Sequence, residues 1–481
     1  MTKKKTQEGL TAKKEDDFSE WYTQVIQKAE LIGYTKVSGC YALRPNAYAI
    51  WEEIQKYFDA KIKRSGVQNV YFPLLIPESL LKKESEHVEG FNPEVAWVTH
   101  TGSTKLDEKL AIRPTSETIM YDSYRKWIRS FKDLPLRLNQ WCNIVRWEFK
   151  NPIPFLRSRE FLWQEGHSAF ATEKQAEKET KEILKYYKQV AEDLLAIPML
   201  DGIKSEKEKF AGAKQTLSIE TFLPSGKAIQ GATSHNLGQR FSRAFGISFT
   251  DEKGKKSLPW QTSWGISTRM IGIMAMMHGD DKGLVLPPKV ALNKVVIVPI
   301  LFEKTKAKVM KKAREIQKSL SKHNPVLDDR ENYSPGWKFN EWELKGIPIR
   351  IELGPKDLTN KQVVLVRRDI GTKTKVKFAS IKKKVEQILD DIQKNLFNNA
   401  KKFLDKSIVN VNSLDALKKA VKNKKLGYAV WCATKDCEEM IKYKTNGAKS
   451  INIPFNQKDI NKKCFACGNK AKHYAYFAKS Y

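Results

Sequence analysis

The sequence predicts an α+β protein in three parts. An antiparallel sheet flanked by helices comes first, then a separate α/β unit, then a small cysteine-bearing end. Three observations predict it. The stretch from Asn139 to Phe170, NQWCNIVRWEFKNPIPFLRSREFLWQEGHSAF, reads as two strands joined by a tight, Pro-containing loop. Pro287-Pro288 marks a boundary, after which apolar strand runs alternate with helical periodicity. Four of the six cysteines, Cys432, Cys437, Cys464 and Cys467, fall in the last fifty residues.

At 481 residues the chain has room for several domains with substantial cores, and its 12 Trp and 41% hydrophobic content exclude a disordered protein. A net charge of +31 favours a polyanionic partner, nucleic acid being the commonest. Lys is scattered along the whole chain beside abundant Asn and Ile, as an AT-rich genome alone would produce, so the charge names no surface. No apolar run approaches a membrane span, and none follows the basic start MTKKK. The expectation is a cytoplasmic protein with no membrane association.

In chain order, apolar residues recur at Ala47, Ile50, Trp51, Ile54, Phe58 and Ile62, which predicts an amphipathic helix over 46–65 stopped by Gly66. VYFPLLIP follows as a strand whose Pro73 and Pro77 place it at a sheet edge or an interface, and so at a candidate dimer contact. AIRPTSETIMYDSYRKWI passes from strand to helix near Ser116. Extended backbone there points Thr115 and Glu117 the same way, although Ser116 or Thr115 serves equally as a plain helix N-cap.

In the hairpin, alternation puts Arg146 and Glu148 on one strand face, and Trp163, Glu165 and His167 on one face of the returning strand. Arg157 and Arg159 sit beyond the loop tip. An Arg, two carboxylates, a Trp and a His on one surface suit a phosphate-bearing ligand beside a small cation. The alternative is a solvated, charged hairpin, against which Trp and Cys in the same strands speak for burial. Cys142 reads as a small core residue. Residues 173–195 read as a surface helix with Lys/Glu pairing.

AIQGATSHNLGQRF then presents Gln230, Thr233 and His235 around Gly231, where backbone can approach a ligand closely. In WGISTRMIGIMAMMHG, Arg269 opens a helix, where its charge adds to the amide donors and the dipole as an anion site. Residues 284–294 read as a linker. The unit beyond it carries Phe339, Glu341, Arg350, Glu352, Lys356, Arg367 and Arg368, groups typical of an RNA-reading face. In the tail, WCATKDC and CFAC supply two cysteine pairs. In a reducing compartment these make a closed, structural, four-thiolate zinc (Zn2+) site at Cys432, Cys437, Cys464 and Cys467.

Taken together these stretches resemble the class II aminoacyl-tRNA synthetases, and among them the prolyl-tRNA synthetases of archaeal/eukaryotic type. SGVQNVYFP, VRWE with FLRSREF, and WGISTR resemble the three class signatures, the last with Ser267 and Thr268 where glycine is often found. RPTSET, REFLWQEGH and the cysteine tail ending in tyrosine are similar to the prolyl enzymes specifically. The resemblance runs from about residue 16 onward. It implies a class II antiparallel sheet catalytic domain at 16–285 behind a disordered basic arm at 1–15. An α/β anticodon-binding domain at 292–396 and a C-terminal zinc-binding domain at 403–481 would follow.

The resemblance further implies activation of L-proline with ATP and Mg2+ to prolyl-adenylate and pyrophosphate, then transfer to tRNA(Pro), in a homodimer. Thr115, Glu117, Arg146, Trp163, Glu165, His167 and His235 would hold proline. Arg146, Glu148, Arg157, Ser158, Gln230, Thr233 and Arg269 would hold ATP, with Arg146 and Arg269 catalytic and Glu148 on either the adenine or Mg2+. Tyr481 would approach the catalytic domain. The stretch between His167 and Trp264 reads as ordinary helix and sheet, without the inserted editing domain of the bacterial-type enzymes. Other readings are another class II synthetase, such as a threonyl enzyme, or a non-catalytic paralogue that binds RNA. The threonyl family carries its zinc in the catalytic site and not in the tail, and a dead paralogue has no reason to keep three phosphate-site arginines. A generic zinc-containing RNA-binding protein would leave the first 280 residues unexplained.

Overall fold

The computed structural model describes residues 9–87, 94–455, 457 and 460–481. Its centre is an eight-stranded sheet. Seven strands come from residues 68–267: β1 (Gln68–Asn69), β2 (Leu136–Val145), β3 (Glu160–Phe170), β4 (Leu200–Ile203), β5 (Gln215–Phe222), β6 (Ala228–Gly238) and β7 (Trp260–Ser267). They lie in the order β4-β5-β6-β7-β3-β2-β1, and Ile453–Pro454 adds an eighth strand beside β4. All neighbours are antiparallel except β1 and β2.

The expected helix forms as α1 (Pro45–Arg64), with Ala47, Ile50, Trp51, Ile54, Phe58 and Ile62 all buried, and it ends before Gly66 at φ +89°. Proline at the first helical position costs nothing, because that amide has no partner in any helix. Phe58 stacks on Tyr187 of α3 (Glu173–Gln189) at 4.8 Å. The helix at 173–189 is not the surface element that its Lys/Glu content suggests. Ala176, Ile183, Leu184 and Tyr187 are buried, and the sunken Glu179 carboxylate takes hydrogen bonds from Arg137 (2.8 Å) and Ser168 (2.9 Å). One core joins α1, α3 and α4 (Arg269–His278) to Leu217, Ile219, Trp264 and Ile266 of the sheet. A glycine makes this packing possible: a Cβ at Gly166 would lie 2.1 Å from the Trp264 ring.

The proline-bearing segment splits. β1 and a strand at Leu75–Pro77 take opposite sides of it, each at the edge of a sheet, as proline demands. The hairpin pairs as expected, from Leu136 with Ala169 to Val145 with Glu160. Its connection is long instead of tight. It runs over 146–159, with Phe155 in the left-handed region and a bridge between Ile153 and Arg157, because Pro152 and Pro154 cannot extend the ladder. Arg146 therefore leaves the end of β2, and Glu148 sits exposed on a turn, so the two do not share a strand face.

The first eight residues, which hold most of the expected basic arm, lie outside the described ones. Residues 9–15 pack instead of trailing away. Lys14 donates to the Gly279 carbonyl at 2.6 Å, and burial brings its ammonium down to about 8. The expected linker is likewise a buried strap: Leu284, Leu286, Val290 and Ala291 belong to the main core. Gly346, at φ +76°, lets the strap pass, since a Cβ there would lie 2.6 Å from that of Leu284.

Beyond the strap, β8 (Val295–Pro299) runs parallel to Val326–Leu327 and to β9 (Ile349–Leu353), while β10 (Gln362–Arg367) and Lys373–Lys377 continue antiparallel. Helix α5 (Lys306–Ser319) buries Val309, Ala313 and Ile316 against this sheet. Most of the expected RNA-reading face is committed internally. Arg350 lies over Phe339 (4.3 Å) and pairs with Glu352, Arg367 pairs with Asp369, and Glu341 takes Arg330 and Lys345. Arg368 makes a bidentate bond to Asp280 of the first unit at 2.6 and 2.8 Å. Among the described residues Lys356 alone of the charged set has no ion-pair partner.

The 27-residue helix α6 (Ile381–Ser407) leads to a four-stranded sheet at the end of the chain. From there the chain returns to the first unit. Asn452 donates to the Leu200 carbonyl (2.9 Å), and Tyr481 donates its backbone N–H to Ala228 at the start of β6 (3.2 Å).

Candidate active site

A cavity of about 280 Å³ opens on the sheet over β3, β6 and β7. It brings together Thr115, Glu117, Arg146, Trp163, Glu165, His167, Gln230, Thr233, His235 and Arg269, residues drawn from five separate stretches of sequence. Alternation along β3 places Trp163, Glu165 and His167 on this face, as their spacing requires.

At one end Thr115 bonds the Glu117 carboxylate, both buried at the start of α2 (Glu117–Trp127). Ser116 sits at the N-cap position but caps nothing with its side chain; its hydroxyl and its N–H (3.2 Å) both go to Glu165. Glu165 also accepts from Gln140 at 3.1 Å and contacts His167 Nε2 at 3.2 Å and the Cys142 thiol at 3.5 Å. His167 Nδ1 meets the Tyr121 hydroxyl at 3.1 Å. Burial alone would raise the Glu165 carboxyl, but the bonds from His167, Ser116 and Gln140 outweigh it and hold the group below its ordinary range. Burial likewise opposes charge on His167, and the Glu165 hydrogen bond with the Glu117 and Glu165 charges raises it instead. Glu117, Glu165 and His167 stand within 4.8 Å of one another, close enough for a cation, yet Glu165 is already satisfied by protein donors.

His235 is the opposite case. Buried, and facing His167, its pKa falls to about 3. Its Nδ1 contacts the Thr216 hydroxyl at 2.9 Å, and Phe210 covers the ring at 4.7 Å. A neutral imidazole therefore offers one free nitrogen to the cavity.

Arg146 donates through Nε to the Pro114 carbonyl (3.0 Å), which ties it to the Thr115 segment, and lies 5.3 Å from the Trp163 ring. Its two terminal nitrogens bond nothing among the described residues. Arg269, the first residue of α4, bonds the Leu156 carbonyl at 3.2 Å. Burial lowers the Arg269 guanidinium to about 10, with the Arg146 charge adding and the Glu220 charge opposing, and no carboxylate forms an ion pair with Arg146 or Arg269 among the described residues. That is an anion site at a helix N-terminus.

Three expected residues lie outside this cavity. Arg157 is exposed over Phe149, Glu148 is exposed on its turn, and Ser158 is buried in a smaller space of about 30 Å³ shared with Arg146 and Arg269. Conversely Glu208, Phe210, Thr216 and Phe161 line the cavity without having been expected. Glu208 and Phe210 come from a charged loop, SEKEKFAGAK, in which nothing local marks them. Cys142 is no plain core residue either: it accepts from the Trp163 indole N–H at 3.3 Å.

At the far end of the chain the four cysteine sulfurs lie within 4.8 Å of one another, with Cys432–Cys467 at 3.6 Å and Cys437–Cys464 at 3.8 Å. Four thiolates about 2.3 Å from one tetrahedral zinc would stand roughly 3.8 Å apart. The donor set fits that ion.

Residues 98–278 match the family described as tRNA synthetase class II core domain (G, H, P, S and T), and residues 294–388 match an anticodon binding domain. The fold and its cavity thus define a class II aminoacyl-tRNA synthetase. Residues 414–481 match the prolyl-tRNA synthetase C-terminal family. The chain is 51% identical to the proline--tRNA ligase of Alkaliphilus oremlandii, over 97% of each chain. It is 49% identical to the cytoplasmic proline--tRNA ligase of Arabidopsis thaliana, over 100% of this chain and 92% of that one. It is 51% identical to the bifunctional glutamate/proline--tRNA ligase of Mus musculus, of whose length it spans 33%. The chain belongs to the proline--tRNA ligase family.

Proposed function

We propose that the chain activates L-proline with ATP to prolyl-adenylate and pyrophosphate, and then transfers the prolyl group to the 3′ end of tRNA(Pro). One observation carries the reading. A single cavity holds an acceptor pair, Thr115 and Glu117, and two arginines, Arg146 and Arg269, that have no ion-pair partner among the described residues.

A proline ammonium has two N–H donors in fixed directions, and Thr115 with Glu117 offers two acceptors, one of them charged. Trp163 walls the ring. Glu165 and His167 close the floor, and His235 presents its free nitrogen. Arg146 takes the substrate carboxylate and the α-phosphate, where a forked guanidinium suits two oxygens. Arg269 grips the outer phosphates, while Gln230 and Thr233 line the nucleotide side. The carboxylate then attacks the α-phosphorus in line and pyrophosphate leaves; positioning and charge neutralisation supply the catalysis. The ribose hydroxyl of the tRNA is the second nucleophile, and neither step needs a dedicated base.

Class II synthetases use ATP with Mg2+. No lining carboxylate other than Glu117, Glu165 and Glu208 is present. Mg2+ would be held by the nucleotide's phosphates, with Glu148 on the turn as the carboxylate to help hold it, and would neutralise phosphate charge. Arg157, exposed over Phe149, and Ser158, in the small adjoining space beside Arg146 and Arg269, would contribute to the phosphate end from outside the cavity.

Units at 16–285, 292–396 and 403–481 divide this work, the last holding a structural zinc on its four cysteines. The described elements between His167 and Trp264 are sheet strands, the helices on them and a short hairpin at 249–257, which supports the absence of an editing domain. Misactivated alanine should then persist, because an apolar pocket rejects smaller side chains poorly. A cytoplasmic homodimer is part of the reading. Its support is the pair of edge strands at 68–69 and 75–77 beside the exposed Tyr71, and light scattering at micromolar concentration tests it. No described helix is long and apolar enough to cross a membrane.

The deciding experiment is ATP–pyrophosphate exchange without tRNA across proline, threonine, serine, glycine, alanine and cysteine. Strong exchange with proline and weak exchange with alanine or cysteine is expected. A maximum with threonine or serine would overturn the specificity, and no exchange in folded protein would overturn the activity.

A further inference from the structure

The loop between Lys204 and Lys214 roofs part of the cavity through Glu208 and Phe210. Inside its own unit its ends are held by the Lys204 N–H to the Thr216 carbonyl (2.9 Å) and the Lys214 N–H to the Asn236 carbonyl (2.8 Å), while the Phe210 N–H donates to the Thr216 hydroxyl (2.9 Å) and the Phe210 ring rests on His235. Its middle is held from the cysteine-bearing module. Lys449 pairs with Glu208, and Glu439 pairs with Lys207. Lys204, buried, donates to the Ile451 carbonyl at 2.8 Å while pairing with Glu220 at 3.0 Å. Directly before the loop, β4 takes Ile453–Pro454 as its neighbour, and Gly202 is the residue that admits it, since a Cβ there would meet the Ile453 carbonyl oxygen at 2.4 Å.

The gripping residues are themselves fixed. Lys449 and Ser450 pair with Ala478 and Phe477 in the module's sheet, and the Ser450 N–H donates to Glu438 at 3.3 Å. Glu438 and Glu439 lie on the helix Lys435–Lys444, which also carries Cys437. The loop that covers the pocket thus has its charges matched by a domain whose gripping helix also carries one of the four clustered cysteines.

We propose that Lys449 and Glu439 are positioning residues for the amino-acid substrate: through Glu208 and Lys207 they hold the 205–212 loop, with Phe210, over the end of the cavity bounded by His235. This rests on the reading of that cavity as the proline site. Lys449→Met should raise the KM for proline about five- to tenfold, with kcat and the KM for ATP within about twofold, since a half-buried charged hydrogen bond is lost on one side of the pocket only. Lys207→Glu should raise it roughly two- to threefold, as expected for a more exposed pair, and Glu439→Lys in the same chain should restore it.

A second readout needs no turnover. Trypsin should cut at Lys207 and Lys209 several-fold faster in Lys449→Met than in the parent, with the thermal midpoint unchanged. An unmoved proline KM, a KM for ATP that rises in step, or failure of the charge swap to restore binding would overturn the proposal, as would equal trypsin rates. A parent protein that exchanges nothing with proline would overturn the functional reading instead, and the trypsin comparison would still decide whether the module holds the loop.

Discussion

A buried carboxylate survives in an apolar sheet only if enough donors converge on it, and Glu165 has them from Ser116, Gln140 and His167. This network sets Glu117 and Thr115 in place. Under the function proposed for this cavity, Glu117→Gln keeps the shape but removes the charge that would face the proline ammonium, so kcat/KM for proline should fall about 10- to 100-fold while the KM for ATP holds. Exchange kinetics read both numbers. The same network shapes stability against pH. His167 is raised above its ordinary 6.5, so its contribution is full below that value and lost as pH rises through the raised one. Glu165 is lowered from 4.5, so its contribution holds above that value and is lost as pH falls. Thermal midpoints should fall on both sides, and His167→Gln should flatten the alkaline limb. Thr115 and Glu117 do meet, but not through the extended backbone expected: Ser116 between them has φ -110° and ψ 2°, and Glu117 already opens α2, so the turn into the helix brings them together. Ser116 was not legible: as a cap it satisfies one backbone amide, whereas in the fold it meets a buried charge, and only tertiary structure shows that stronger claim. Phe210 carried no local signal, because its role depends on a histidine from another strand.

At the scale of elements, periodicity predicted α1 and the hairpin ladder, since one buried face leaves its stamp on every turn or every second residue. It could not give the length of the 146–159 connection, where two prolines and internal bonds replace the ladder. Nor could it show that α3 is half sunk, because its Lys and Glu content suggests a solvated helix, whereas Glu179 among them is buried. Between β3 and β7 the packing has no slack. Gly166→Ala would drive a methyl into the Trp264 ring and should cost at least about 3 kcal/mol, read as a clear drop in the thermal midpoint. A midpoint within a degree of the parent would mean that the indole has somewhere to go. The cysteine pairs were legible from spacing alone. One zinc per chain by mass spectrometry is expected, and Cys464→Ser should release it and expose the end of the chain to protease. Retention of the metal by that variant would point to three ligands sufficing.

Across the whole molecule the boundaries proved more engaged than composition suggested. The strap at 284–294 is largely buried because Leu284, Leu286 and Val290 complete the main core while Val285 joins that of the α/β unit, and Arg368 was legible as basic but not as half of a joint with Asp280. Asp280→Asn leaves that arginine without its counter-charge, a loss of about 1–2 kcal/mol at a partly exposed pair. The KM for tRNA should rise while amino-acid activation without tRNA is unchanged, and aminoacylation run beside exchange separates the two. A final consequence concerns the order in which the chain is made. Strand β4 leaves the ribosome early, whereas Asn452, which bonds its Leu200 carbonyl, lies 252 residues later. Throughout the synthesis of everything between, the nascent sheet carries a bare edge, the form most open to pairing with a neighbouring chain. The sheet that carries the cavity is thus completed only after a further 252 residues have been made.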